Sequence, residues 1–213
     1  MVNRQSYNRN GETKMKQAKL FGSSEEPKVY TSLDLAEAET IAIQVEGFIK
    51  PLCDNLKIVG SVRRKRPTVG DCDFVIIATD ANWSKIVQTL KKSKVICTGP
   101  SVTKLNIPFE GKLVQVDFYR ATPQTFGIQE LIRTGSADHN MWLANYAISK
   151  GMRLKYNQGL LKGDIVVAGE TEKGVFEALG LPCPEPKERE IIEGKPVWLQ
   201  RLTSAYRCQL LIG

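Results

Sequence analysis

The stretch GSVRRKRPTVGDCD, residues 60–73, combines a Gly-Ser pair, a basic run and a Gly-Asp-x-Asp motif. A strand is predicted at 71–78, and its alternation places Asp71 and Asp73 on one face, with Cys72, Phe74 and Ile76 on the other, toward the core. Glycine lets a backbone approach a phosphate closely, and arginine binds phosphate in a bidentate way. Alone, an acidic pair or a basic run is more often solvated surface, but the ordered combination favours a phosphate site.

A second acidic strand is predicted at 112–120, joined at Glu110-Gly111 to a strand at 104–108. Its alternation puts Val114, Val116 and Phe118 on the core face and Gln115, Asp117 and Tyr119 on the other. If the two acidic strands pair, three carboxylates converge at one end of a sheet. Such carboxylates repel one another unless cations neutralise them, and Mg²⁺ prefers oxygen ligands. Two such ions can clamp the attacking and leaving oxygens of a phosphoryl transfer.

The remaining pattern predicts an α+β fold. Helices are predicted at 35–49, 83–91, 123–133, 136–150 and 172–179, the first of them capped by Ser32 or Asp34 and ended by Pro51. Further strands are predicted at 56–59, 94–97, 154–156, 159–162 and 165–167. Residues 1–30 form a mobile basic tail in this interpretation, because they lack a steady hydrophobic period.

Composition narrows the functional classes. The 213 residues carry 30 Lys plus Arg against 23 Asp plus Glu, a net charge of +7, which favours an anionic partner, with nucleic acid first. No apolar run reaches the roughly 18 residues of a membrane-spanning helix, and residues 1–16 lack a secretory pattern. Five widely spaced cysteines and the single His139 predict reduced thiols rather than disulfides or zinc. These features predict a cytoplasmic protein, associated with the nucleoid if the source is bacterial.

Residues 60–73 resemble the nucleotidyltransferase motif of the family X DNA polymerases, the DNA polymerase beta group. Further resemblances follow in the family's order between residues 32 and 190. They are Val102-Thr103-Lys104, Val116-Asp117, Thr134-Gly135-Ser136 with His139-Asn140, Glu170-Thr171-Glu172 with 175–182, and Pro186 to Glu190.

The resemblance implies a nucleotidyltransferase-type palm at 31–121, a mixed sheet with flanking helices. A hinge and a small α/β thumb would occupy 122–190, followed by a C-terminal extension at 191–213 that either packs on the thumb or forms an interface. Only about thirty residues precede the first helix. We therefore expect neither a lyase domain nor helix-hairpin-helix fingers, and no deoxyribose-phosphate lyase activity.

The resemblance also implies roles for individual residues. Asp71, Asp73 and Asp117 would be the catalytic metal ligands for two Mg²⁺ ions, with Mn²⁺ as a substitute. Asp117 would bind the catalytic metal and help to activate a primer 3′-hydroxyl. The nucleotide-binding residues would be Gly60, Ser61, Arg64, Gly70, Gly135 and Asn140.

The implied activity is that of a DNA-directed DNA polymerase in short-gap repair, which acts on primer–template or gapped DNA with dNTPs, and NTPs stay open as substrates. One alternative is a template-independent nucleotidyltransferase, of the terminal transferase type or with a small substrate. Another is a non-catalytic DNA-binding relict. The thumb-like stretch argues against a small substrate, and the three carboxylates argue against a relict.

Three positions depart from the family pattern. Ile132 and Arg133 replace an aromatic pair that abuts the incoming sugar, so the choice between dNTP and NTP is left open. Arg133 would instead reach a phosphate or the template. Gln115 stands where family members often carry arginine, which bears on the orientation of Asp117.

His139 is interpreted as a helix residue that packs on its neighbours rather than as a substrate contact.

The tail carries a separate short motif. Gln17, Leu20 and Phe21 resemble the Gln-x-x-Leu-Phe peptide with which bacterial enzymes dock into the sliding clamp. In that interpretation an extended segment places two apolar side chains in a pocket. The alternative is two apolar residues in a linker.

Overall fold

The computed structural model describes residues 28–29, 32–89 and 93–201. In the first half of this range six strands form a mixed sheet with helices packed on it, and two short strands, Leu33–Asp34 and Thr68–Val69, pair separately. The strands are β1 (Lys28–Val29), β2 (Leu33–Asp34), β3 (Asn55–Ile58), β4 (Thr68–Val69), β5 (Cys72–Ile77), β6 (Lys94–Thr98), β7 (Val102–Phe109) and β8 (Lys112–Arg120). The helices are α1 (Leu35–Ile49), α2 (Gly60–Arg63) and α3 (Asp80–Thr89).

The six-stranded sheet has the order β3-β5-β8-β7-β6, with β1 also pairing β8. β5 and β8 run parallel, whereas β3–β5, β7–β8 and β6–β7 are antiparallel. Asp117 lies at the centre of this register, because Asp73 is its partner on β5 and Lys104 is its partner on β7. The two acidic strands do pair, which meets the condition for the three carboxylates to converge.

The sheet packs its predicted apolar face against α1. The Asp34 side chain caps this helix by accepting a hydrogen bond from the backbone N–H of Glu37 at 2.8 Å. Helical spacing then buries Ile41 and Ile49 in the same cluster as the sheet residues. Phe74 and Phe118 stack at the centre of this cluster, with ring centroids 5.3 Å apart.

The second half of the described chain forms a smaller α/β unit. Its helices are α4 (Phe126–Thr134), α5 (Ala137–Ser149) and α6 (Glu172–Ala178), and its strands are β9 (Met152–Lys155), β10 (Gly159–Lys162), β11 (Ile165–Ala168), β12 (Ile191–Ile192) and β13 (Lys195–Pro196). β9, β10 and β11 form an antiparallel sheet. A second hydrophobic cluster joins the three helices and this sheet.

The C-terminal extension is more ordered than its sequence pattern indicated. β12 and β13 pair as a hairpin, and a 3-10 helix follows at Val197–Arg201. Trp198 is buried in the second cluster and meets Trp142 edge-on, with ring centroids 5.7 Å apart. Up to Arg201 the extension therefore packs on the thumb-like unit, whereas residues 202–213 lie outside the described residues.

Two helix starts differ from the predictions by three residues, and one short helix was missed. The helix predicted from Pro123 begins as a 3-10 turn, Pro123–Thr125, and α4 starts at Phe126. The helix predicted from residue 83 starts at Asp80. The short helix α2 was not predicted, because four residues are too few for a period. The predicted tail falls outside the described residues except for Lys28 and Val29.

The four cysteines within the described residues, Cys53, Cys72, Cys97 and Cys183, are free. Across that part of the chain, no helix is both long and apolar enough to span a bilayer.

Candidate active site

Three carboxylates converge where β5 and β8 lie side by side. Asp71 precedes β5, Asp73 lies on it, and Asp117 is the register partner of Asp73 on β8. Each residue offers a carboxylate oxygen, and these three oxygens lie within 4.8 Å of one another. Asp117 is fully buried and the other two are half-buried. A compact set of carboxylate oxygens fits a hard divalent cation such as Mg²⁺ or Mn²⁺.

The carboxylates destabilise one another's charge. Burial first, and then the charges of Asp71 and Asp117, raise the pKa of Asp73 to about 7. Burial and the charge of Asp117 likewise raise the pKa of Asp71. A cation bound among the three would oppose both effects, because it favours the ionised form of each group.

Asp117 is held by three donors. The Gln115 amide donates to Oδ1 at 3.0 Å, the Tyr119 hydroxyl donates to Oδ2 at 3.0 Å, and the Lys104 ammonium also contacts Oδ2. Gln115 thus contacts Asp117 as a neutral donor. Burial lowers the pKa of Lys104, but the hydrogen bond and charge of Asp117 raise it overall. Burial and the charges of Asp73 and Asp117 raise the pKa of Tyr119 to about 12.

Sequence analysis missed the roles of Lys104 and Tyr119 around Asp117. A usable signal was present, because Lys104 and Asp117 lie equally far from the predicted Glu110-Gly111 turn. Counting outward from that turn makes them opposite partners on one face of the hairpin.

Gly60 brings the start of the phosphate-type motif directly against the acidic centre. Its φ is +67°, and a Cβ at this position would lie 2.0 Å from Oδ2 of Asp73. Only glycine fits this close approach. Ser61 follows at the start of α2 and is half-buried, and Gly70 lies exposed just before Asp71. Of the six predicted nucleotide-binding positions, Gly60 thus lies against Asp73, Ser61 follows it in the chain, and Gly70 directly precedes Asp71.

Arg64 joins this motif to the predicted hinge. Its guanidinium donates to the carbonyl oxygen of Thr134 and, at 3.2 Å, to Oε1 of Glu190. A Cβ on Gly135 would lie 2.9 Å from Nη1 of Arg64. In the same hinge, the side-chain amide of Asn140 donates to the carbonyl oxygen of Ile132 at 2.7 Å. The roles of Arg64, Gly135 and Asn140 toward a nucleotide remain predictions.

Arg63 points to a different set of partners. It donates to both carboxylate oxygens of Glu172, at 3.0 and 2.8 Å, to the Thr134 hydroxyl at 2.7 Å, and lies 3.0 Å from Glu130. Arg189 is 1% exposed and donates to the same Glu172. Burial raises the pKa of Glu172, but the hydrogen bonds from Arg189 and Arg63 lower it overall. Most of the basic run is thus engaged within the protein, since Lys65 pairs with Glu39 as well.

Arg133 lies over the Tyr119 ring, with its guanidinium carbon 3.8 Å from the ring centroid. Its Nε donates to Gln129 at 3.3 Å. The predicted contact of Arg133 with a phosphate or template stays a prediction.

His139 is fully buried and accepts a hydrogen bond from Trp198 at 3.4 Å, which agrees with its interpretation as a packing residue. Burial, then the charge of Arg189, lower its pKa to about 4.

Comparison with known proteins finds a family model and relatives that this chain resembles. A family model for the DNA polymerase beta thumb matches residues 131–190. The chain is 28% identical over 186 residues to the DNA polymerase/3′-5′ exonuclease PolX of Bacillus subtilis strain 168, covering 80% of this chain and 32% of that protein. It is 31% identical over 77 residues to DNA polymerase IV of Saccharomyces cerevisiae, covering 36% of this chain and 13% of that protein.

The chain thus spans about a third of the length of the first relative (32%) and about an eighth of the second (13%). The matches agree with the fold, in which a mixed sheet with flanking helices precedes the thumb-like unit. Taken with the acidic centre on β5 and β8, they support a family X polymerase-like protein.

Proposed function

We propose that this protein is a DNA-directed DNA polymerase that extends a primer 3′-hydroxyl by two-metal phosphoryl transfer in short-gap DNA repair. The observation that carries the proposal is the convergence of Asp71, Asp73 and Asp117 within 4.8 Å at one end of the sheet. Two relatives named as DNA polymerases support it. The substrates would be primer–template or gapped DNA and a dNTP.

The metal ligands in this proposal are the three carboxylates. Asp71 and Asp73 would hold both ions, and Asp117 would hold the catalytic one. Bound Mg²⁺ or Mn²⁺ would favour deprotonation of the primer hydroxyl and stabilise negative charge on the phosphate. The protein's own contribution is orientation: the Gln115 amide and the Tyr119 hydroxyl each donate to Asp117 and fix its plane.

The nucleotide would bind between the motif of residues 60–73 and the hinge. Gly60, Ser61, Arg64 and Gly70 would contact the triphosphate, and Gly135 and Asn140 would line the sugar and base edge. The support for this arrangement is the Arg64 guanidinium, which already bridges the two segments by donating to the Thr134 carbonyl. A triphosphate would compete for Arg64 with Thr134 and Glu190.

Further parts of the proposal concern partners. Ile132 replaces an aromatic residue next to the sugar, so the proposal leaves both dNTPs and NTPs to be assayed.

Residues 17–21 would dock into a bacterial sliding clamp through Leu20 and Phe21, and this segment lies outside the described residues. A pull-down with purified clamp checks that contact, and equal capture of Leu20→Ala/Phe21→Ala would reject it. The location would be cytoplasmic, near the nucleoid in a bacterium.

The proposal is tested by primer extension on gapped, templated and single-stranded DNA with each nucleotide type. Asp117→Asn should reduce extension at least about 100-fold, since a lost metal ligand removes several kcal/mol of transition-state stabilisation. Asp164→Asn is the matched control, because Asp164 is fully exposed in the β10–β11 turn. Near wild-type activity of Asp117→Asn would reject the metal mechanism. Untemplated extension of single strands would instead support the template-independent alternative.

A further inference from the structure

Lys104 stands out because, among the described residues, it is the cation in direct contact with one of the three carboxylates. Its ammonium contacts Oδ2 of Asp117, and the Tyr119 hydroxyl lies 3.4 Å from the same Nζ. The contact follows from the fold, since Lys104 and Asp117 are register partners on β7 and β8. Side chains of such partners lie on the same face of the sheet.

The carboxylate oxygens of Asp117 have few lone pairs left to bind a metal ion or to accept another hydrogen bond. An ionised carboxylate offers about four lone-pair positions, and three donors occupy this one: Gln115 on Oδ1, with Tyr119 and Lys104 on Oδ2. A divalent ion that ligates Asp117 must therefore approach a carboxylate already crowded by donors. It must also approach an ammonium, and two cations held against one carboxylate repel each other.

Lys104 is the donor best able to leave. Asp117 is fully buried, whereas the Lys104 side chain is 33% exposed. The lysine ammonium lies at the end of a flexible four-carbon stem and is well hydrated in water. Gln115 and Tyr119, by contrast, have short or rigid side chains on the same strand as Asp117.

We propose that Lys104 is a built-in counter-cation of the acidic centre, which competes with the catalytic metal ion for Asp117 and gives up its contact with Oδ2 when the ion binds. This inference rests on the proposed function, because it takes Asp117 to be a metal ligand. In this role Lys104 neutralises part of the carboxylate cluster and sets the affinity for the metal. It is a positioning residue rather than a group that touches the substrate.

The test measures Mn²⁺ binding to the full chain without DNA or nucleotide, through the electron paramagnetic resonance signal of the free ion. Lys104→Met should bind Mn²⁺ about tenfold more tightly than the wild type, as expected when a competing charge-assisted hydrogen bond is removed. Lys85→Met, an exposed site on α3, is the charge-matched control and should change affinity less than about twofold. Tyr119→Phe removes a neutral donor from the same oxygen and should gain much less than Lys104→Met.

Thermal stability without metal is a second measurement, and here Lys104→Met should be weaker than the wild type rather than stronger. In EDTA, Lys104→Met should unfold at a lower temperature than the wild type, by about 4 °C, because the carboxylates lose their contacting cation. Saturating Mn²⁺ should shrink that difference. Lys104→Gln, which keeps a polar side chain without charge, replaces Lys104→Met if circular dichroism shows that the latter does not fold.

Unchanged or weaker Mn²⁺ affinity in both Lys104 variants would overturn the proposal. An equal gain in Tyr119→Phe would assign the effect to crowding of the oxygen and would overturn the role of the charge. These outcomes are separable from failure of the polymerase proposal. If the wild type extends primers but Lys104→Met binds Mn²⁺ no more tightly, only the role of Lys104 is rejected. If Lys104→Met binds Mn²⁺ about tenfold more tightly but the wild type extends no primer, only the polymerase activity is rejected.

Discussion

Replacing Glu172 by Gln should strongly destabilise the protein, because Glu172 is the shared acceptor of two arginines in a mostly buried network. Its side chain is 8% exposed. It accepts two hydrogen bonds from Arg63, at 3.0 and 2.8 Å, and one from Arg189, which is 1% exposed. Arg63 precedes β5 in the chain and Arg189 follows α6, so this one carboxylate links segments of both halves.

The size of the effect follows from what remains after the change. Breaking a buried ion pair by removing one partner costs about 3–5 kcal/mol. Glu130 still lies 3.0 Å from Arg63, and Arg189 still donates to the Pro184 carbonyl at 2.9 Å. Because both cations keep a second partner, we expect the lower end, about 3 kcal/mol. Glu177→Gln is the matched control on the same helix, since its side chain is 61% exposed and should stay within about 0.5 kcal/mol.

Urea unfolding at pH 7, followed by tryptophan fluorescence and far-UV circular dichroism, measures the free energy of unfolding of both variants. The pKa of Glu172 is lowered in the folded state from the ordinary 4.5. Its stabilisation is therefore fully present above pH 4.5 and is lost as the pH falls through the lower, folded pKa. The gap between wild type and Glu172→Gln should narrow in acid. Equal stability of Glu172→Gln and Glu177→Gln at pH 7 would refute the reasoning.

Three further changes test the acidic centre and the C-terminal extension. Asp73→Asn should stabilise the protein in EDTA at pH 8 by at most about 4 kcal/mol, because ionisation of a carboxyl whose pKa is raised from 3.8 to about 7 opposes folding at high pH. In thermal unfolding this gain in stability should fade toward pH 4, and a gain that does not depend on pH would contradict the raised pKa. Gly60→Ala should weaken Mn²⁺ binding more than about tenfold, because the added Cβ would displace Asp73. Gly111→Ala is the control, since Gly111 has a similar positive φ of +79° but open space around it; equal Mn²⁺ affinities of the two variants would argue against a close fit of Gly60 to Asp73. Trp198→Ala should lower the free energy of unfolding by about 3–5 kcal/mol in urea titrations, as for a buried tryptophan; a change below about 1 kcal/mol would separate the extension from the thumb-like core.

Strand alternation predicted the acidic centre well, because period 2 fixes which side chains share a face. It placed Asp73 and Asp117 on one side, with Phe74 and Phe118 on the other, and both assignments hold. Alternation could not predict that the face carrying Asp117 is also buried. On that face Arg133 of α4 lies over the Tyr119 ring, which is a tertiary contact between distant segments.

The partners of the basic run were harder to predict, for a different reason. A run of four cations beside an acidic motif indicates phosphate binding by composition alone. In the structure Arg63 and Arg64 diverge, and their acceptors, Glu172 and Glu190, lie more than a hundred positions later in the chain. Only the packing of the thumb-like unit brings these carboxylates within reach.

This divergence of adjacent side chains gives residues 60–64 a mechanical significance. Gly60 at one end touches Asp73 of the acidic centre, while Arg64 at the other end donates to the carbonyl of Thr134 at the hinge. Between them, α2 is a single short turn. A displacement of the hinge that breaks the hydrogen bond from Arg64 to Thr134 would free the Arg64 guanidinium for an anionic ligand beside the acidic centre.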